Sequence, residues 1–381
     1  MQSSMPAALI RGGTSRGLFL RMEDLPDVGP TRDALLLELL GSPDPIQVDG
    51  VGGGHSHTSK VMAVEVSAAD GVDIDYLFAQ VDVRQAVVDY QGNCGNLTAA
   101  VATHAIERGL VAPAPARTEA EVVLHNLNTG TLIRVTVPLE RGMPRVQGTY
   151  RMAGVREPGA EIRVEYLDPE GALLGRGPLP VGGPLTPISL PGGEVIEVSI
   201  ADVTGLLVFV RATDLGLVPP FLPDDLNGDS DLLARIEAVR AACAQRLGMV
   251  ERPQDAARVS PSQPKVVLCA PVEDYMTSTG RSVSATEVDL IATMSSVQRI
   301  HHAFAGTGVM CTAAAARLEG TIPFMLARPG SGDVRVGHPK GVATASVDIR
   351  TINDRARVAS ITVSRTARTI MSGAVYHRVR S

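Results

Sequence analysis

The chain has 381 residues, of which 44% are hydrophobic and 20% charged, with a formal net charge of -6. That length allows two domains with cores of their own. The acidic balance argues against a nucleic-acid binder, and six Tyr, six Phe and no Trp leave no stacking platform for bases or sugars.

In chain order, ALIRGG (residues 8–13) reads as a strand entering the glycine turn RGGTSRG, residues 11–17. Glycines there let backbone N–H groups approach an anion, Thr14 and Ser15 add hydroxyls, and Arg16 offers a fork to a carboxylate. The Gly-Lys-Ser/Thr ending of a P-loop is missing, so the plain reading is a strand-to-strand turn. TRDALLLELLG (31–41) has a helical pattern, and GGGHSHTSK (52–60) is a flexible polar stretch running into the strand VMAVEV. A lone lysine is ordinarily a solvated surface charge. Drawn into a cleft, Lys60 would be desolvated and become a usable base.

DIDYLFAQVDV reads as a strand, followed by QGNCGNLTAAVATHAIERG, in which Cys94 stands in a glycine turn just before an apolar helix. A thiol at a helix start is placed where the thiolate is favoured. Cys243, Cys269 and Cys311 lie inside regular patterns and read as small buried hydrophobes. EVVLHNLNTGTLIRVTVPLE is a strand pair around an NTG turn. The Pro/Gly-rich segment Asp168 to Gly193 reads as the inter-domain stretch. Beyond it come the strands EVIEVSIADV, LLVFVRA and PKVVLCAPV, and the helices DLLARIEAVRAACAQRLG and GVMCTAAAARLEG. VRVGHPKGVATASVDI is a strand pair turning at GHPKG, and RVASITVSRTARTIMSGAVY is a final strand run. The whole is a strand-rich α+β chain rather than a βαβ alternation.

Two pairs of histidines, His55 with His57 and His301 with His302, invite a metal. They lack HExxH spacing and a carboxylate cluster, and neighbours on one strand or helix diverge, so no metal site is expected. The acidic stretches DLPDVGP and LPDDLNGDSDL lack the EF-hand order of ligands. Sparse cysteines, no signal-like N-terminus and no long apolar run point to a cytoplasmic protein without membrane contact.

Two glycine turns repeat at one offset: Gly95 and Gly306, and Gly130 and Gly341, each pair 211 residues apart. SKVMAV and PKVVLC align with Lys60 on Lys265, and RGLFL resembles TGLLV with Gly17 on Gly205. Growing offsets are what a duplicated fold with loop insertions gives. The repeat places Ala305 opposite Cys94, Thr307 opposite Asn96 and Gly308 opposite Leu97. Two helix starts from the two halves would then face a shared cleft suited to carboxylates.

IRGGTSRGLFL, DGVGGGHSHTSKVMAV, QGNCGNLTAAV, NLNTG, AGTGVMCTAAAA and GHPKGV, in this order, resemble the 2-methylaconitate isomerase family. That family includes 4-oxalomesaconate tautomerases and methylitaconate isomerases and shares the two-domain diaminopimelate epimerase fold. The resemblance implies two pseudo-symmetric domains, 1–185 and 186–362, with a C-terminal segment near 363–381 returning to the first. Each domain would be a barrel-like sheet around a central helix, with the active site in the cleft between them. It implies a cofactor-independent 1,3-allylic proton shift, or cis/trans isomerisation, of an unsaturated di- or tricarboxylate. Lys60 and Cys94 would act as acid and base, with Thr14, Ser15, Arg16, Ser59, Gly95, Asn96, Leu97, Thr307, Gly308 and Lys340 at the substrate. No nucleic acid is expected as partner, and a homodimer is left open.

Epimerase relatives carry a second cysteine where this chain has Ala305, and many relatives carry Asn-Pro where it has Gly205 and Leu206. The rival readings are an amino-acid epimerase, which needs a second thiol near Ala305, and a non-catalytic accessory protein.

Overall fold

Period-two alternation makes strands of β1 (Gln2–Gly12) and β2 (Ser15–Arg21), antiparallel with Gly12 opposite Ser15, so the turn between them is only Gly13 and Thr14. This and all that follows rests on a computed structural model, which describes every residue except Gln91, Pro115, Val297, Ser331, Asn353, Asp354 and 379–381. The chain forms two compact units, Met1–Leu167 with Ser364–Ser381, and Asp168–Val363.

In the first unit β3 (Lys60–Val66), β4 (Ile74–Val81), β5 (Glu119–Asn126), β6 (Leu132–Glu140) and β7 (Ile162–Leu167) join β1 and β2. The second unit contributes β8 (Thr186–Ser189), β9 (Val195–Asp202), β10 (Leu206–Arg211), β11 (Lys265–Ala270), β12 (Leu290–Ser296), β13 (Val334–His338), β14 (Gly341–Ile352) and all but the last two residues of β15 (Arg355–Arg365). The last strand, β16 (Ala367–Arg378), pairs along the length of β1.

One pairing order serves twice. In the first unit it runs β16-β1-β2-β3-β4-β5-β6-β7, with β2–β3 and β4–β5 parallel and the other steps antiparallel. In the second it runs β8-β9-β10-β11-β12-β13-β14-β15, with β10–β11 and β12–β13 parallel and the others antiparallel. The sequence repeat is thus a repeat of strand pairing.

Each sheet curls around one helix. In α2 (Thr98–Glu107) every residue from Thr98 to Ile106 is buried, and the helix touches β16 and β1 at one end of the pairing order and β6 and β7 at the other. In α4 (Gly306–Ala315), residues 308–315 are buried against β9, β10, β13 and β14. A helix apolar all round has no solvent face and must be enclosed. The other face of the first sheet carries Leu18, Leu20, Val61, Ala79 and Val81, packed on Leu36, Leu39 and Leu40 of α1 (Pro30–Leu40). That helix opens on a proline at its start and ends on Gly41 at φ 76. The longest helix, α3 (Ser230–Arg246), buries Ile236, Val239 and Cys243 in the second core, with Asp229 capping its first amides.

Two expectations are corrected. The boundary falls between Leu167 and Asp168, not at 185/186, because the Pro/Gly-rich stretch is part of the second unit. The buried Asp202 carboxylate accepts the N–H groups of Leu173 and Leu174, and its backbone pairs with Gly171 and Pro178. The final run is two strands, broken at Thr366, whose carbonyl accepts the Gly13 N–H. The last three residues of the expected returning segment lie outside the described residues. Among the described residues no helix is long and apolar enough to cross a membrane.

Candidate active site

The site is built on the sheet face that meets α2. Alternation puts Ser15 and Gly17 of β2 on this face, and register puts Lys60 of β3 opposite Gln80 of β4. Gly17 leaves the space through which these elements close. A Cβ there would stand 2.7 Å from Leu97 and 3.2 Å from the Lys60 carbonyl. Gly12 and Gly13 serve the same approach: a Cβ would stand 2.5 Å from the Asn96 carbonyl and 2.4 Å from its side-chain oxygen.

Cys94 stands one helical turn ahead of α2. Its carbonyl accepts the N–H of Thr98 at 3.1 Å and the Thr98 hydroxyl at 3.1 Å. Its Sγ donates to Ser15 Oγ at 3.9 Å, and the residue is only 8% exposed. Asn96 Nδ2 donates to Thr14 Oγ1 at 2.9 Å and reaches Ser15 Oγ at 3.4 Å. Behind the turn, buried Tyr76 joins Asn93, Thr98 and Asn126 in one hydrogen-bond network. A satisfied buried network of this kind fixes the loop that carries the thiol.

Lys60 Nζ donates to Gln80 Oε1 and lies 4.9 Å from the centre of the Phe78 ring. The Gln80 amide is oriented by its Nε2 donating to the carbonyls of Ser59 at 2.9 Å and Ser56 at 3.0 Å. Asn128 holds Phe78 by bonding both its backbone N–H and its carbonyl. Sequence reasoning missed Gln80, Phe78, Tyr76 and Asn128. The alternating asparagines of NLNTG were the only local signal.

Beside this cluster lies an open cavity of about 280 Å³ lined by Thr14, Ser15, Thr58 and three arginines, Arg11, Arg16 and Arg156. Arg16 lies against Gly53, where a Cβ would stand 2.7 Å from the guanidinium, so the glycine run makes room for it. Its Nε is buried without a partner. Burial, and to a lesser extent the neighbouring Arg368, hold the Arg11 guanidinium below its ordinary value. Such a cavity suits an anion.

Thr14, Ser15, Cys94 and Asn96 are thus hydrogen-bonded together across Gly95, Arg16 lines the same cavity as Thr14 and Ser15, and Leu97 and Lys60 both lie against Gly17. Ser59 is not available: it is fully buried and its hydroxyl accepts from Gln47 at 2.7 Å. Leu97 is buried as well, and its carbonyl starts the helical ladder. In the second unit, Ala305 caps α4 and its carbonyl accepts the Val309 N–H, the counterpart of the Cys94–Thr98 bond. Thr307 receives the Thr204 hydroxyl on its carbonyl at 3.1 Å, beside Gly205. Gly308 is a packing glycine, since a Cβ would stand 2.9 Å from Met294 and 3.0 Å from Phe304. Lys340 lies in the two-residue turn between paired His338 and Gly341 and donates its N–H to His338 Nδ1. Cys311 is buried inside α4 against the Ala201 carbonyl, where burial pushes its thiol up.

The paired histidines do not diverge as expected. His55 and His57 stack at 5.2 Å, and His301 and His302 at 4.6 Å, because both pairs lie in irregular segments rather than in a strand or helix. Among the described residues, no three His, Cys, Asp or Glu side chains gather as a metal site would require.

A sheet curled about a buried helix, twice over, is the architecture of the racemase and epimerase folds. A hydroxyproline epimerase from Agrobacterium vitis matches 98% of this chain and 92% of its own at a TM-score of 0.55, with 13% identity, a likeness of fold. The family model described as PrpF protein matches residues 2–378, and the chain belongs to that family. A 3-methylitaconate isomerase from Eubacterium barkeri is 38% identical over 98% of this chain and 97% of its own length. A 2-methyl-aconitate isomerase from Shewanella oneidensis is 37% identical over 98% and 97%. The crystal structure of a methylitaconate-delta-isomerase aligns at a TM-score of 0.86 with 38% identity, over 98% of this chain and 96% of that one. The chain is an isomerase.

Proposed function

We propose that this isomerase moves a double bond in an unsaturated di- or tricarboxylate by a 1,3-allylic proton shift, with Lys60 and Cys94 as the acid–base pair and no cofactor. The observation that carries the reading is the bond that sets the Cys94 thiol against Ser15, which also lines a cavity with three arginines, while Lys60 stands on the neighbouring strand of the same sheet.

A substrate carboxylate pairs with Arg16 and the Thr14 and Ser15 hydroxyls, and the first-turn amides at Gly95 and Asn96 face the charge that develops. One of Lys60 and Cys94 takes the allylic proton, the electron pair spreads into a dienolate, and a proton returns at the far carbon. Lys60 is steered to one position by Gln80 and Phe78, the precision that proton transfer demands. We further propose that the units correspond to two epimerase-like domains, with Thr307 and Lys340 serving the substrate.

An epimerase working through two thiols has no support from Ala305, or from Cys311, which points into the core. The test is incubation of the purified protein alone with 3-methylitaconate, 2-methylaconitate and 4-oxalomesaconate, followed by proton NMR. Conversion of at least one is expected. Conversion of none, with a folded protein, would sink the proposal and favour an accessory role.

A further inference from the structure

The hairpin of β1 and β2 sets Arg11 directly opposite Arg16, and the pairing of β1 with β16 sets Arg11 directly opposite Arg368. Three arginines thus stand in one row across three neighbouring strands. Like charges placed directly opposite on a sheet repel. Among the described residues no carboxylate ion-pairs with any of the three. Glu107 of α2 takes the Thr369 hydroxyl, and Glu157 pairs with the exposed Arg156. Arg11 is held in place, since its Nη1 donates to the carbonyls of Gly13 at 2.9 Å and Thr366 at 3.0 Å. The Arg16 Nε is buried without a partner, and Arg368 is exposed.

Arg11 and Arg16 line the cavity of about 280 Å³ together with Thr14 and Ser15, and Arg156 lines it from the loop of residues 148–160. That loop comes close to the hairpin at Gly154, where a Cβ would stand 3.0 Å from the Thr14 methyl. Ile370 lines the cavity too. The register of β16 on β1 shifts between Leu9 and Ile10, which leaves Ile370 as an extra, bulged residue beside the row. Bulges re-aim side chains next to sites, and this one gives the cavity an apolar wall that is 45% exposed. A row of like charges without counter-ions breaks a local rule of sheet design, and such breaks collect at functional sites. An anion bearing several carboxylates relieves the repulsion.

We propose that Arg11 and Arg368 extend the Arg16 contact into a seat for a further carboxylate, the one that a tricarboxylate has and a dicarboxylate lacks. Arg156 closes the loop side of the seat, and Ile370 meets the carbon chain. These residues set specificity, and the proton shift is left to Lys60 and Cys94. Ser15 lines the cavity and also bonds the Cys94 thiol, so a carboxylate held at the row leaves the rest of the molecule at the turn that leads to the thiol. The inference rests on the reading of the substrate as an unsaturated carboxylate and narrows it to a tricarboxylate.

The experiment is isothermal titration calorimetry of the full-length protein with two saturated probes that have no double bond to move. They are tricarballylate and glutarate, the same chain without its central carboxylate. The wild type should bind tricarballylate about tenfold more tightly than glutarate. Arg368→Gln should weaken tricarballylate by roughly tenfold and leave glutarate within about twofold. Its tricarballylate affinity should also fall less steeply with added salt, because one charge contact is gone. Arg368→Lys should restore most of the wild-type affinity. Arg156→Gln, on the exposed loop, is the second variant, kept in case Arg368→Gln fails to fold, and it should shift the same ratio in the same direction. Equal binding of the two probes by the wild type overturns the proposal, as does a loss in Arg368→Gln that is equal for both. If no unsaturated carboxylate were turned over, the acid–base reading would fail while the difference between the probes stood.

Discussion

Lys60 shows how little freedom the candidate base has. Its ammonium is held by the Gln80 amide oxygen and the Phe78 ring, and Gln80 is itself locked by two carbonyls. Gln80→Leu would leave Lys60 free to wander, and misplacement of about 1 Å can cost on the order of a hundredfold in rate. The expectation is a kcat lowered by about tenfold to a hundredfold, with KM and melting temperature near wild type, measured by steady-state kinetics and thermal denaturation. An unchanged kcat would mean that Lys60 is positioned by something else. The placement of Cys94 ahead of a helix was legible in the sequence because a glycine turn and an apolar run flank it. Gln80 was not, since it meets Lys60 only through strand register, 20 residues away. Ser59 sits in a bend just before the strand, which turns its hydroxyl onto Gln47.

At the level of elements, the approach of the β1–β2 turn to the start of α2 depends on glycines. Gly12→Ala would push a methyl into the Asn96 carbonyl, so α2 must shift. A cost of about 1–3 kcal/mol with loss of most activity is expected. Gly373→Ala in β16, where a Cβ meets nothing within 4 Å, should stay within about 0.5 kcal/mol of wild type. Urea denaturation of the two variants checks both values.

The elements also bury histidines. Burial holds His104 of α2, beside Phe19, and His338 of β13 down to about 4. An unfolded chain has histidines near 6.5 and takes up protons that the native state refuses. The stability these residues contribute is complete above pH 6.5 and is lost as the pH falls toward 4, by up to about 3 kcal/mol each. Denaturation midpoints between pH 7.5 and 4.5 should fall accordingly, and His104→Gln should flatten part of that slope. The helices were readable from their apolar runs, but their enclosure by a sheet was expected only from the family resemblance, because it depends on pairings between distant strands.

Across the whole molecule, the repeat in glycine turns pointed to the repeated strand pairing, and the composition of the middle segment misled. Proline and glycine usually mark a linker, yet the Asp202 carboxylate, backbone bonds and the β8–β9 pairing make this stretch part of the second unit. Asp202→Ala would orphan the amides of Leu173 and Leu174. A loss of about 1–3 kcal/mol is expected, with new protease cleavage between residues 168 and 193 that the wild type resists. Limited proteolysis with mass spectrometry checks this, and identical digests would show that the segment is held by other contacts.

The central claim is that one lysine and one cysteine move the proton. The most direct measurement is solvent deuterium incorporation into whichever carboxylate the wild-type protein turns over, followed by NMR for the wild type, Lys60→Ala, Cys94→Ala and Cys311→Ala, each shown to be folded. The account predicts incorporation by the wild type and by Cys311→Ala, and none above background by the other two. Exchange at near wild-type rates in Lys60→Ala or Cys94→Ala would contradict it.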